Sequence, residues 1–120
     1  MQIKRVYSPY DATDGKRVLI DRLWPRGLAR DGAFIDLWLK EIAPSTSLRR
    51  FFSHDPTRFQ EFQRLYKEEL TQDSRHQTEV QVLLSLIEEQ PVTLLYAAKD
   101  DVHNHAVVLS SFLNECLHHR

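Results

Sequence analysis

With 120 residues, 42% of them hydrophobic, the chain can bury one core and is too short for two ordinary domains, so a single domain over 1–120 is expected. Charged residues make up 28% of it, yet the net charge is -1 and the pI about 6.6, which excludes a global basic field able to hold a phosphate backbone. The single cysteine, Cys116, excludes an internal disulfide and a cysteine-based zinc site, and no apolar run approaches the roughly 20 residues of a spanning helix.

In chain order, Ile3-Lys4-Arg5-Val6-Tyr7 alternates apolar and polar residues and reads as a strand near 2–7. Its two charges and lack of an apolar core argue against a secretory signal, and with the cysteine count they place the protein in the cytoplasm. Residues 8–15 are dense in turn formers, and Asp14-Gly15 suits a tight turn of a hairpin or of a longer loop. Val18-Leu19-Ile20 is a second strand, near 17–22, whose direction relative to the first stays open. Ile35, Trp38, Leu39 and Ile42 recur at helical spacing and predict a helix ended by Pro44. Ser45 can cap a short helix through Leu48 and Phe52, and Asp55-Pro56 opens another marked by Phe59, Phe62, Tyr66 and Leu70. Residues 71–78 are polar and read as a connection before a helix on Val80, Leu83, Leu84 and Ile87 that stops ahead of Pro91. Val92 to Ala97 is apolar nearly throughout, as a central strand covered on both faces requires, and a helix carrying Ala106, Leu109, Phe112, Leu113 and Cys116 follows. The order predicts a small three-layer-like α/β domain, a short mostly parallel sheet with helices packed on it, in which 18–21 and 92–96 are adjacent parallel strands.

Two polar segments leave the carboxyl ends of those strands, where open α/β sheets collect ligands. After the second strand comes Asp21-Arg22-Leu23-Trp24-Pro25-Arg26-Gly27; after the last comes Lys99-Asp100-Asp101-Val102-His103-Asn104-His105. Arg22 and Arg26 can grip a carboxylate or phosphate through paired N–H groups, with Lys99 adding a compact charge. The bland alternative pairs Arg22 with Asp21, Asp100 or Asp101 for structure alone. Trp24 can stack on a ligand ring or close over the core, and the core reading is favoured. His103 and His105 with Asp21 or Asp100 have the inventory of a metal site or of a proton-exchanging pair; His105 and Asp21 are the catalytic candidates, and Asp100, His103 and Asn104 complete a binding set. Against this, Asn104 can simply cap the last helix, and His54 can do the same before Asp55. Neither HExxH nor CxxC is present, so no metal is assigned, and no cofactor is indicated. Cys116 lies on the apolar face of its helix and reads as a buried packing thiol.

Taken together, RVLIDRLWPRG, LWLKEIAPSTSLRRFFSHDPTRFQEFQRLYKEEL and VTLLYAAKDDVHNHAVVL resemble the YeaO-like branch of a bacterial and archaeal family known only as a domain of unknown function. The likeness spans Ile3 to about Leu113 and implies a compact α/β fold with a parallel core, without implying an activity. More distant relatives resemble the chain at D-x-R-x-x-P-R-S after one strand and C-x-E-x-x-x-x-x-C-H-R after the last. The first pattern falls near Asp21, Arg22, Pro25 and Arg26, and the second puts its histidine on His105. Tyr96, Ala98, Asn104 and Ala106 stand where those relatives place Cys, Glu, Cys and Arg, so thiol chemistry does not carry over. Two functions compete: an enzyme on a small anionic or nucleotide-like substrate, with Arg22, Arg26 and Lys99 binding and His105 or Asp21 exchanging protons, and a non-catalytic ligand- or partner-binding module using the same cleft. The net charge weakens a nucleic-acid partner, although a local stripe would survive that objection. A membrane partner is not expected.

Overall fold

The computed structural model describes residues 1–119. Four strands, β1 (Gln2–Arg5), β2 (Lys16–Leu19), β3 (Leu37–Trp38) and β4 (Val92–Tyr96), form one sheet in the order β1-β4-β2-β3 with every pairing parallel. All five residues of β4 are buried, which is what its nearly unbroken apolar run anticipates for a central strand. β2 lies beside it in register from Lys16↔Val92 to Leu19↔Leu95, as the sequence predicts. The direction left open is now fixed: β1 runs parallel to β4, so Asp14-Gly15 makes no hairpin. It ends a return, residues 6–15, with a short 3-10 turn at Ala12–Asp14. Gly15 is required there, because at φ 66 an added Cβ would lie 2.3 Å from the Pro91 carbonyl oxygen.

Helices α1 (Thr46–Phe52), α2 (Phe59–Gln72), α3 (Ser74–Glu89) and α4 (His105–His118) supply the apolar cover of one sheet face. Val18, Ile20, Val92, Leu94 and Tyr96 meet Phe52, Phe62, Tyr66, Leu83, Leu109 and Leu113 in the main core. The starts follow the expected chemistry: Ser45 Oγ accepts from the Leu48 N–H at 3.2 Å, Asp55 accepts from Thr57 at 3.0 Å, and Asn104 Oδ1 accepts from Val107 at 3.0 Å.

Two segments differ from the sequence reading. The helix predicted through Ile35, Trp38, Leu39 and Ile42 is instead the edge strand β3 followed by a 3-10 turn at Lys40–Ile42. β2 claims this backbone: the Asp36 N–H donates to Arg17 O and the Leu39 N–H to Leu19 O, both at 2.9 Å. Leu37 and Leu39 then face the main core while Trp38 faces the other side, the alternation of a strand. Residues 71–78 are not a connection, since Asp73 alone separates α2 from α3. Its carboxylate accepts from the Arg75 and His76 N–H groups, at 2.9 and 3.3 Å, and starts α3 at once. The stretch is polar because it faces solvent, apart from His76, buried with Nε2 2.8 Å from Ala43 O.

The third layer consists of loops. Residues 6–15 and 20–36 cover the second sheet face, where Val6, Leu19 and Leu95 form a small core under Trp24, Leu28, Ile35 and Trp38. Beside it Asp14 is buried between Lys4, at 2.9 Å, and Arg17, whose guanidinium donates to the same carboxylate; Thr93 Oγ1 donates to Asp14 O at 2.7 Å. Burial raises the Asp14 pKa, but the hydrogen bonds from Lys4 and Arg17 outweigh it and hold the carboxyl below its ordinary value. No helix among the described residues is long and apolar enough to cross a membrane.

Candidate functional site

Because β2 and β4 are parallel neighbours, the two polar segments leave the same edge of the sheet. Asp21 sits where they join. Its Oδ2 accepts from the Ala97 N–H at 3.1 Å, and its main-chain oxygen accepts from Trp38 Nε1 at 2.7 Å. His105, the first residue of α4, brings Nε2 to 3.2 Å from Asp21 Oδ1 and 3.1 Å from Ile20 O. Both side chains are largely covered, at 18% and 15% exposure. The tautomer protonated on Nε2 donates to Ile20 O, which leaves Asp21 Oδ1 buried without a hydrogen-bond donor in line. Tyr66 closes the floor, its ring 6.4 Å from that of His105 and its hydroxyl donating to Ile42 O at 2.6 Å. Burial first, then the charges of Glu69 and Asp21, push the Tyr66 phenol well above its ordinary value, so it stays a neutral donor.

The loop after β4 is occupied with itself. Asp100 Oδ1 accepts from the Val102 and His103 N–H groups, and Oδ2 lies against His103 Nδ1, each at 2.9 Å. Those two backbone donors and then the His103 ring lower the Asp100 carboxyl to about 2. Asn104 caps α4 and returns its Nδ2 to Asp100 O at 2.9 Å, so its capping role is the one observed. The His103 ring packs edge-on to Phe59 at 5.2 Å. On the other loop, Trp24 donates to Leu28 O at 2.7 Å and packs against Trp38, the lid role favoured from sequence. Gly27 turns the chain at φ 76.

Arg22, Arg26 and Lys99 are exposed, and among the described residues none of them forms an ion pair, so Arg22 is not the structural partner of Asp21, Asp100 or Asp101. Sequence reasoning missed one cation. Arg49 of α1 is half-buried with its Nε unpartnered, and its pKa is lowered by burial and then by Arg22, with Asp21 opposing, which brings it into the field of the same edge. Its only signal was a place beside Leu48 on a capped helix. His54 stands apart: it is exposed, at φ 57, and Asp55 rather than His54 caps the following turn. Among the described residues no group of three His, Cys, Asp or Glu is arranged to hold a metal. Cys116 is half-buried on α4, with its thiol pushed up by burial. Two open grooves lie away from this edge, one of about 530 Å³ between β1 and α4 and one of about 610 Å³ between α1 and α2.

The family model described as the inactive DUF488-N3 subclade matches residues 1–120. Among curated proteins, the chain is similar to the uncharacterized protein YeaO of Escherichia coli strain K12, 44% identical over 113 residues that cover 94% of this chain and 96% of that one. It is also 40% identical over 114 residues to the uncharacterized protein Rv3073c of Mycobacterium tuberculosis, covering 95% and 93% of the two chains, and equally to Mb3100c of Mycobacterium bovis. No solved structure matches significantly.

Proposed function

The chain belongs to the inactive DUF488-N3 subclade, and from that premise we propose that it is a non-catalytic cytoplasmic binding module, one domain over 1–120, that holds a small anionic, nucleotide-like ligand at the carboxyl edge of its sheet. One observation carries this reading. The acids and imidazoles at the edge are tied into the scaffold, Asp21 by the Ala97 N–H, His105 by Ile20 O, and Asp100 with His103 by each other, whereas Arg22, Arg26 and Lys99 have no ion-pair partner among the described residues. Open arginines beside a committed acid–histidine pair suit capture of an anion better than proton transfer. Arg49 adds a fourth cation to the same edge. The family description as inactive supports the same side of the choice.

Calorimetric titration with inorganic phosphate and nucleoside monophosphates tests it. Arg26→Ala should weaken binding by about 1.5–3 kcal/mol, the range for a hydrogen bond to a charged group, with stability unchanged because the side chain is exposed. Large destabilisation with binding intact would make Arg26 a structural residue and remove the site. A second reading rests on the 3.2 Å approach of Asp21 Oδ1 to His105 Nε2, since an acid that orients this nitrogen leaves Nδ1 free as a base. Under that reading a bound monophosphate ester turns over, and His105→Asn abolishes turnover while sparing affinity.

A further inference from the structure

The loops over the second sheet face carry rings that neither core uses. Tyr7, Tyr10 and Phe34 are 41%, 51% and 57% exposed and join neither hydrophobic cluster, in contrast to Trp24 and Trp38. Tyr10 and Phe34 stack with centroids 4.5 Å apart and planes 25° apart. Cations are interleaved with the rings: Arg5 lies 4.8 Å over Tyr7, Arg30 lies 4.4 Å over Trp24, and Lys40 lies 5.4 Å over Trp38. Phe34 is held at φ 57, a costly backbone conformation for a bulky side chain, and its carbonyl is anchored at 2.9 Å by the buried Arg17. A fold that gives up stability to display a half-exposed phenyl points to a use outside the core.

The net charge conceals a division. Residues 1–40, which make β1, β2, β3 and both covering loops, hold eight Lys or Arg against five Asp, a net +3; residues 41–120, which make the helical layer and β4, hold eight against twelve acids, a net -4. A polyanion is therefore repelled by the helices and admitted to the loop face, and the overall value of -1 does not exclude it.

We propose that this loop face binds single-stranded nucleic acid, with bases stacked on Tyr7, Tyr10 and Phe34 and phosphates neutralised by Arg30 and Lys40. A single strand fits better than a duplex, because rings exposed at a surface need unstacked bases, whereas a duplex offers only groove edges and phosphates. The inference uses neither Arg22 nor Lys99 and goes beyond the edge site.

Fluorescence anisotropy with labelled thymidine and uridine strands of about ten nucleotides tests it at about 50 mM salt. Affinity is expected to fall as salt rises, with a log–log slope of about -0.7 per phosphate neutralised. The decisive variant is Phe34→Gly, which removes the ring and suits φ 57, so it should keep or gain stability while losing about 5- to 100-fold in strand affinity. Tyr10→Leu, which keeps apolar bulk, should lose a similar factor; Arg64→Ala on the helical layer should lose none. Absence of strand binding, parental affinity in both ring variants, or tighter binding of a duplex with the ring variants silent would each overturn the inference. Phosphate titration of the same proteins reads the edge site separately. Phosphate binding without strand binding overturns this inference alone, and strand binding without phosphate binding supports it while refuting the edge site.

Discussion

Replacing Asp14 with alanine strips a buried cation of its counter-charge, and the structure sets the scale of the damage. Asp14 and Arg17 are each 2% exposed; the carboxylate also takes Lys4 Nζ at 2.9 Å and the Asp11 N–H at 3.2 Å. Once the carboxylate is gone, the Arg17 side chain keeps, among the described residues, the Phe34 carbonyl at Nε and the Tyr10 ring at 5.4 Å. Breaking a buried pair from one side costs about 3–5 kcal/mol, since the remaining charge is left in low dielectric. That is a large share of the roughly 5–15 kcal/mol that holds a small domain folded. Urea unfolding followed by tryptophan fluorescence should show the midpoint falling by about 2 M, at a slope of about 2 kcal/mol/M. The double variant Asp14→Ala/Arg17→Met removes both charges and should recover most of the loss. Equal stability of the single and double variants, or a single-variant cost under about 1 kcal/mol, would refute the reasoning. The sign with pH follows from the lowered carboxyl: its stabilisation is full above the unfolded value near 4 and is lost as pH falls through the folded value.

Gly15→Ala should cost about 2–4 kcal/mol, from the left-handed backbone and from a Cβ 2.3 Å from Pro91 O, and should weaken amide protection of Lys16, whose N–H bonds that oxygen at 2.9 Å; a neutral effect would contradict the close approach. The Asp100 carboxyl should titrate near 2 by carbon-detected NMR, because backbone donors favour its ionised form, so the 100–104 loop should stay ordered down to about pH 3 and loosen below it. Asp100→Ala should free the His103 ring and weaken amide protection at Val102 and His103, whose N–H groups the carboxylate accepts at 2.9 Å. Cys116, half-buried and with a raised pKa, should react slowly with a small alkylating reagent at pH 7, and rapid native-state reaction would show α4 packing to be loose.

The sheet's centre was legible because its signals are local. A nearly continuous apolar run at 92–97 and a shorter one at 18–20 each pass into ionisable loops, and the right-handed crossover rule permits them to be parallel neighbours. β3 was not legible, since two residues are too few to show alternation and the turn after them supplied a false helical spacing. The α2–α3 junction was hidden for a different reason: polarity marks exposure, and an exposed helix end with an aspartate cap looks like a loop. At the edge, Asp21 and His105 could be paired on paper because both flank strands, but Arg49 could not, because its approach depends on how α1 crosses the sheet. The exposed rings were equally silent, for nothing in spacing separates Trp24, which closes a core, from Phe34, which does not.

The positions at which distant relatives are distinguished from this chain now have structural occupants, and these bear on what the edge can do. Tyr96 is 4% exposed at the end of the central strand, Ala106 is fully buried in the first turn of α4, and Asn104, 2% exposed, spends its amide on the helix cap and on Asp100 O. Where the resemblance places two thiols, a carboxylate and a guanidinium, this chain therefore has two packing groups, a half-buried methyl at Ala98 and a cap. Asp21 and His105 hold β2 to β4 and to the start of α4, through the Ala97 N–H and the Ile20 carbonyl. Exposed Arg22 and Arg26 have no ion-pair partner among the described residues, and Arg22 acts on the half-buried Arg49 as a like charge that a bound anion would offset. Their presence in this setting is the physical reason to look for a ligand at the edge rather than for a reaction.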